Sequence, residues 1–220
     1  MQIFNLLKVG NILLQSSPKE KQPSWSLHEL GSRAKAYVVE FLNANHQASQ
    51  VSSRCAQVSW SPPTELVYKG NFDATFFDTS GCAGIGVVYR NFKGQVIAAL
   101  SQKIPLVQLV ELAKAMAARQ ALLFAKELSL FDVEIEGDCS RVLAALNMAM
   151  RCSTLFGHVI DECKSLGTSL RSCKFSHVKR EGNRLTHALA RRVIISADTD
   201  VWVESLSSDL DSVFQSDLVQ

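Results

Sequence analysis

Between residues 66 and 101 the chain strings together three runs rich in strand-forming residues, and from residue 107 onward it changes to helix-length segments divided by short strands. That change of texture restricts the fold more than any other feature. The three runs, 66–77, 82–90 and 95–101, are joined by short connections, the second being the turn Asn91-Phe92-Lys93-Gly94. Tight connections of this kind predict an antiparallel meander. Beyond it, Leu109, Leu112, Ala113, Met116, Ala117 and Leu123 fall near one stripe of a helix over 107–128. A strand over 131–136, helices over 140–150 and 155–166, a strand over 171–179 and a helix over 183–194 follow. The order is βββαβααβα. Strands separated by helices of this length lie parallel in one sheet. The expectation is an α/β domain with a mixed five-stranded sheet flanked by helices.

The remaining segments are of different character. Residues 15–25 are polar and carry two prolines, which reads as a linker, and 27–43 has helical spacing. Residues 44–63 are polar again and end in Trp60-Ser61-Pro62-Pro63, which stops a helix and favours extended backbone. The expected organisation is an extension over 1–59 with one helix, a domain over 60–195, and an acidic, peripheral tail over 196–220. With 47% hydrophobic residues in 220, one sizeable core can form. A net charge of +2 does not by itself announce a polyanionic partner. Six scattered cysteines without a Cys-x-x-Cys pair fit reduced thiols in the nucleus or cytoplasm, with an organelle left open, and no disulfide partner. No apolar run approaches the ~20 residues of a membrane span. The apolar, acid-poor start lacks a basic leader, so it is not read as a secretory signal; a transit peptide or the edge of a longer reading frame stays open.

Two acids stand out. Asp73 sits mid-strand among apolar neighbours, where a carboxylate is costly unless it is paired, binds a cation or faces water from an edge. Asp138 follows Val133-Glu134-Ile135-Glu136-Gly137 and precedes a helix pattern. It is either the N-cap of that helix or a group at the C-terminal end of a strand, where open α/β sheets place ligands. Two carboxylates converging there suit Mg²⁺, whose paired ions catalyse displacement at phosphate.

The segments NFDAT, GCAGIGVVYRNFKGQVIAALSQ, AKAMAARQALLFAKEL, VEIEGDCSRVLAALN and SHVKREGNRLTHALARR, with Trp60-Ser61-Pro62-Pro63 before them and Val201-Trp202-Val203-Glu204 after, carry a resemblance. Together they resemble the plant-type ribonuclease H-like domain, the reverse-transcriptase-like group often found in retroelement-derived reading frames. The resemblance implies a ribonuclease H fold and cleavage of the RNA strand of an RNA–DNA hybrid by two Mg²⁺ ions on four carboxylates. It places the first acid at Asp73 and the third at Asp138, as catalytic metal ligands. The second position holds Lys114, within Ala113-Lys114-Ala115-Met116, and the fourth holds His187. Histidine at the fourth position is common in the plant group.

Lys114 changes the electrostatics. An ammonium ~5 Å from a divalent ion, at an effective dielectric of ~20, is repelled by about 7 kcal/mol. Glu111, three residues earlier, is the available replacement ligand; it lies ~4.5 Å along the helix and ~60° around it, and otherwise reads as a surface glutamate near the helix start. His177 reads as a hydrogen-bonded histidine of the last strand. Lys179, Arg180, Arg184, Arg191 and Arg192 form a basic edge, either a solvated face or a phosphate-backbone contact. Gly84 and Gly86 either pack under a helix or admit a nucleic-acid backbone. The expected function is a nucleic-acid-binding ribonuclease H-type domain with Mg²⁺-dependent hydrolysis weakened by Lys114. The alternatives are a non-catalytic binding module and a retroelement remnant with the same fold.

Overall fold

A computed structural model describes residues 60–150, 152–196 and 198–218; the linker and helix expected within 1–59 lie outside the described residues. Three strands come first: β1 (Tyr68–Phe77), β2 (Cys82–Arg90) and β3 (Val96–Pro105). Then follow α1 (Val110–Glu127), β4 (Asp132–Gly137), α2 (Ser140–Asn147), α3 (Gly157–Thr168), β5 (Ser172–His177) and α4 (Arg184–Arg192). The chain continues into β6 (Thr199–Val203) and α5 (Asp211–Leu218). The strands form one sheet in the order β5-β4-β1-β2-β3-β6. β1, β2, β3 and β6 pair antiparallel in that order, while β4 and β5 join β1 in parallel.

The sheet thus has six strands rather than five. The sixth comes from the segment expected to be a peripheral tail: Ala98 to Gln102 of β3 pair with Val203 to Thr199. Its five residues alternate between half-buried and exposed, too short and too polar a run to separate from a tail by pattern alone. Both faces of the sheet are covered. On one face, Phe72 and Ala74 of β1 and Ile85, Val87 and Tyr89 of β2 meet α1, α2 and α3 in the main core. The helix side of that contact is built of Ala113, Ala117, Ala118 and Ala121, small residues that let α1 lie close to the sheet. On the other face Val88 and Ala99 meet Leu185 and Leu189 of α4 and Leu210.

Because side chains alternate along a strand, β1 turns Lys69, Asn71 and Asp73 away from the main core, and all three are buried. Pairing with one another and with neighbouring strands makes this tolerable. Lys69 lies 2.9 Å from Glu136, Asn71 donates to Glu136 at 3.1 Å, and Trp60 Nε1–H donates to Asn71 at 2.9 Å. The Arg90 guanidinium stacks 3.9 Å from the Trp60 ring centre and pairs with Asp217 of α5 at 3.3 Å. A buried ion pair therefore pins the C-terminal segment to the sheet, and Trp60 contributes more than packing.

Gly84 and Gly86 resolve in favour of packing. A Cβ built on Gly84 falls 1.9 Å from the Ala190 carbonyl oxygen, and one built on Gly86 falls 2.1 Å from that of Thr186. Both glycines let α4 lie against β2, which is what brings His187 to the sheet.

Candidate functional site

The β1–β4 ladder ends at Phe72 and Gly137. Asp73 is the next residue of β1, opposite Gly86 of β2, and has no β4 partner. The gap past the end of β4 opens Asp73 to α1 on one side and α4 on the other. Lys114 of α1 enters this gap and bridges two carboxylates, donating to Asp73 Oδ1 and, at 2.8 Å, to Asp138 Oδ1. His187 of α4 lies on the second oxygen, its Nδ1 2.8 Å from Asp73 Oδ2. The Ala74 N–H donates to Asp73 Oδ1 at 2.8 Å.

Asp73 is 1% exposed. Burial is the largest influence on its pKa and acts upward, but the hydrogen bond from His187 and the charge of Lys114 outweigh it, and the net direction is below the ordinary 3.8. Burial likewise acts to lower the Lys114 pKa, and the Asp73 charge and the Asp138 hydrogen bond reverse it, holding it above 10.5. Asp73 is therefore an ionised acceptor, which assigns a hydrogen to His187 Nδ1.

Asp138 does not cap its helix. The N-cap residue of α2 is Cys139, without a side-chain cap bond, and the Asp138 carboxylate turns to Lys114. Glu111 does not join the site either: it pairs with Arg141 of α2. His177, exposed at the end of β5, lies with Nε2 3.2 Å from the Asp138 carbonyl oxygen. Two positioning residues were not singled out in the sequence. Thr75 Oγ1 lies 3.4 Å from His187 Nδ1, and buried Asn183 donates to the Phe72 carbonyl at 2.9 Å, fastening the start of α4 beside Asp73. Alternation along β1 already puts Thr75 on the Asp73 face, the one signal available for it.

The model of the family described as reverse transcriptase-like matches residues 71–193, more than half of the chain. The chain belongs to the reverse transcriptase-like family. No curated protein matches it in sequence. Among solved structures, ribonuclease H1 of the halophilic archaeon Halobacterium salinarum is similar at 23% identity and a TM-score of 0.55, covering 60% of this chain and 99% of that one. The N-terminal ribonuclease H domain of a Mycobacterium tuberculosis protein is similar at 18% identity and a TM-score of 0.52, covering 58% and 93%. The compost-derived LC11 ribonuclease H1, solved with an RNA/DNA hybrid, is similar at 20% identity and a TM-score of 0.51, covering 57% and 94%. The fold of this reverse transcriptase-like chain is ribonuclease H-like.

A pair of Mg²⁺ ions does not fit the residues present. Lys114 Nζ lies between Asp73 and Asp138, and the two carboxylates plus one ammonium leave a single net negative charge for ions that would bring four positive ones. Among the described residues no group of three or more His, Cys, Asp or Glu is placed to hold a metal. The basic edge of this family member also differs from the sequence expectation at one position. Arg192 pairs with Asp209 and, at 3.9 Å, with Asp200, and its guanidinium lies 5.3 Å from the Trp202 ring centre, so it is committed within the domain. Lys179, Arg180, Arg184 and Arg191 are exposed. Among the described residues no helix is long and apolar enough to cross a membrane.

The directions of the two pKa shifts fix a pH signature. Asp73, depressed in the fold, contributes stability present above about pH 4 and lost as pH falls through its folded pKa. Lys114, raised in the fold, contributes stability present below 10.5 and lost as pH rises through its folded pKa. The difference in melting temperature between the wild type and Lys114→Met is therefore expected to be widest where the variant's Asp73 is ionised and the wild type's Lys114 is protonated, and to narrow both towards acid, as the unpaired carboxylate takes up a proton, and above 10.5. A difference that does not narrow in acid would contradict the assignment.

Proposed function

We propose that this chain is a nucleic-acid-binding domain of ribonuclease H fold in which Lys114, acting as a built-in cation, replaces divalent-ion chemistry. One observation carries the reading: the Lys114 ammonium bridges Asp73 and Asp138 and satisfies the carboxylates that a metal would need. Asp73 is buried and doubly engaged, so displacing the lysine would expose an uncompensated charge. Lys179, Arg180, Arg184 and Arg191 form the binding edge. They hold phosphates as a salt-dependent electrostatic contact that positions the strand without reading sequence. That LC11 ribonuclease H1 was solved with an RNA/DNA hybrid makes such a hybrid one duplex to test.

The test incubates the purified chain with a labelled RNA–DNA hybrid, with and without Mg²⁺. The expected result is binding without cleavage. Binding should weaken with rising salt, and Arg184→Ala should flatten the log K against log salt slope by about one contact, roughly 0.9. Robust Mg²⁺-dependent cleavage that Asp138→Asn abolishes would favour a hydrolytic ribonuclease H instead.

A further inference from the structure

Beside the lysine-bridged site, residues of α4 and α5 line an open-sided cavity of about 320 Å³. On α4, Arg184, His187, Ala188 and Arg191 recur at helical spacing and form the stripe opposite Leu185 and Leu189, which are buried against the sheet. Val213 and Ser216 line the cavity from α5, and Arg180 lines it from the turn before α4. The cavity surface is almost wholly apolar, although three of its residues are arginines. The alkyl stems of these arginines and the side chains of Ala188 and Val213 account for that apolar surface, as long cationic side chains do when their charged heads stay in water. Among the described residues these three arginines form no ion pair, whereas neighbouring Arg192 is tied to Asp209.

An apolar cup with a cationic rim does not suit a bare phosphate, which needs convergent donors at the bottom of its site. It suits a flat aromatic group attached to an anionic chain. Volume agrees, because about 320 Å³ stands at the small end of ligand cavities, below what a larger cofactor fills. His187 adds one polar contact. Its Nδ1–H is committed to Asp73, so Nε2 is the ring nitrogen left to hydrogen-bond with a base edge or a ribose 2′-hydroxyl.

We infer that the α4–α5 cavity takes an unpaired nucleobase, with Arg180, Arg184 and Arg191 stacking on it or holding the flanking phosphates, so that the domain prefers single-stranded nucleic acid to duplex. The inference rests on the nucleic-acid-binding reading above and narrows it. A base inside a duplex is stacked and paired and must be extruded before it can enter. A base in a single strand needs only to leave its neighbours, and guanidinium and apolar faces accept it with little regard to sequence.

The experiment measures fluorescence anisotropy of the full chain with one labelled oligonucleotide, alone and annealed as an RNA–DNA hybrid, at fixed salt. The single strand is expected to bind roughly tenfold tighter or more. Ala188→Leu, which takes up space in the cavity, is expected to weaken single-strand binding roughly tenfold and leave hybrid binding unchanged. Because that variant could disturb the helix, a second arm uses the wild-type chain and a single strand carrying 2-aminopurine, whose emission changes when the base leaves its neighbours for the cavity. Equal affinity for both forms, or unaltered 2-aminopurine emission on binding, overturns the cavity inference while the binding reading stands. Failure of every nucleic acid to bind overturns both.

Discussion

Replacing Lys114 with alanine is expected to destabilise the domain by about 3–5 kcal/mol, the range for removing one partner of a buried ion pair, and to lower the melting temperature by on the order of 10 °C. The magnitude follows from where the carboxylate is left. Asp73 is 1% exposed and would keep only His187 and the Ala74 N–H. Lys114→Met, which keeps most of the stem, separates charge from packing and should lose nearly as much. Because the unpaired carboxylate takes up a proton readily, the deficit should narrow in acid, in line with the depressed Asp73 pKa of the intact site. Thermal melts of the three proteins across pH check this. A Lys114→Met protein as stable as the wild type at neutral pH would show that the bridge does not hold Asp73.

Gly86→Ala is expected to cost more than ~3 kcal/mol, beyond the usual range for overpacking, or to abolish folding. The added Cβ would fall 2.1 Å from the Thr186 carbonyl oxygen and 2.6 Å from the Ala190 nitrogen. Both are backbone atoms of α4, which cannot yield as a side chain does. Relief requires α4 to lift from β2, and the same motion separates His187 from Asp73, since Gly86 is the register partner of Asp73. A second glycine gives the contrast. A Cβ on Gly167, near the end of α3, meets its nearest neighbour at 3.5 Å, an ordinary contact. Gly167→Ala should be neutral or stabilise by up to ~1 kcal/mol, because alanine costs less in a helix. Chemical denaturation of both variants checks the pair; a mild Gly86→Ala would mean that α4 is free to move.

The course of the chain was legible because periodicity changes sharply after β3. Short turns forced a meander, and helix-length spacers forced parallel strands, which together bring Asp73 and the end of β4 side by side. Lys114 was legible as a misfit only through the resemblance, since a lysine on a helix is otherwise unremarkable. What escaped the sequence depends on three-dimensional partners. Asp138 stands one residue before the N-cap position, and only the position of Lys114 shows which way its carboxylate turns. Glu111 is drawn off by Arg141, thirty residues later in sequence and adjacent in space. Arg192 resembles its basic neighbours until Asp209, in a segment that looks like a tail, folds back to meet it. Short β6 and the Arg90–Asp217 pair escaped for the same reason: their partners come from a stretch with little periodicity of its own.

In the proposed reading, the Lys114 ammonium stands where a divalent ion would otherwise be held. Calorimetric titration of Mg²⁺ and Mn²⁺ into the wild type and into Lys114→Glu tests it most directly. The structure predicts no saturable binding by the wild type at millimolar metal, and a new saturable site in Lys114→Glu that Asp138→Asn removes. Saturable binding by the wild type that Asp138→Asn abolishes would contradict it.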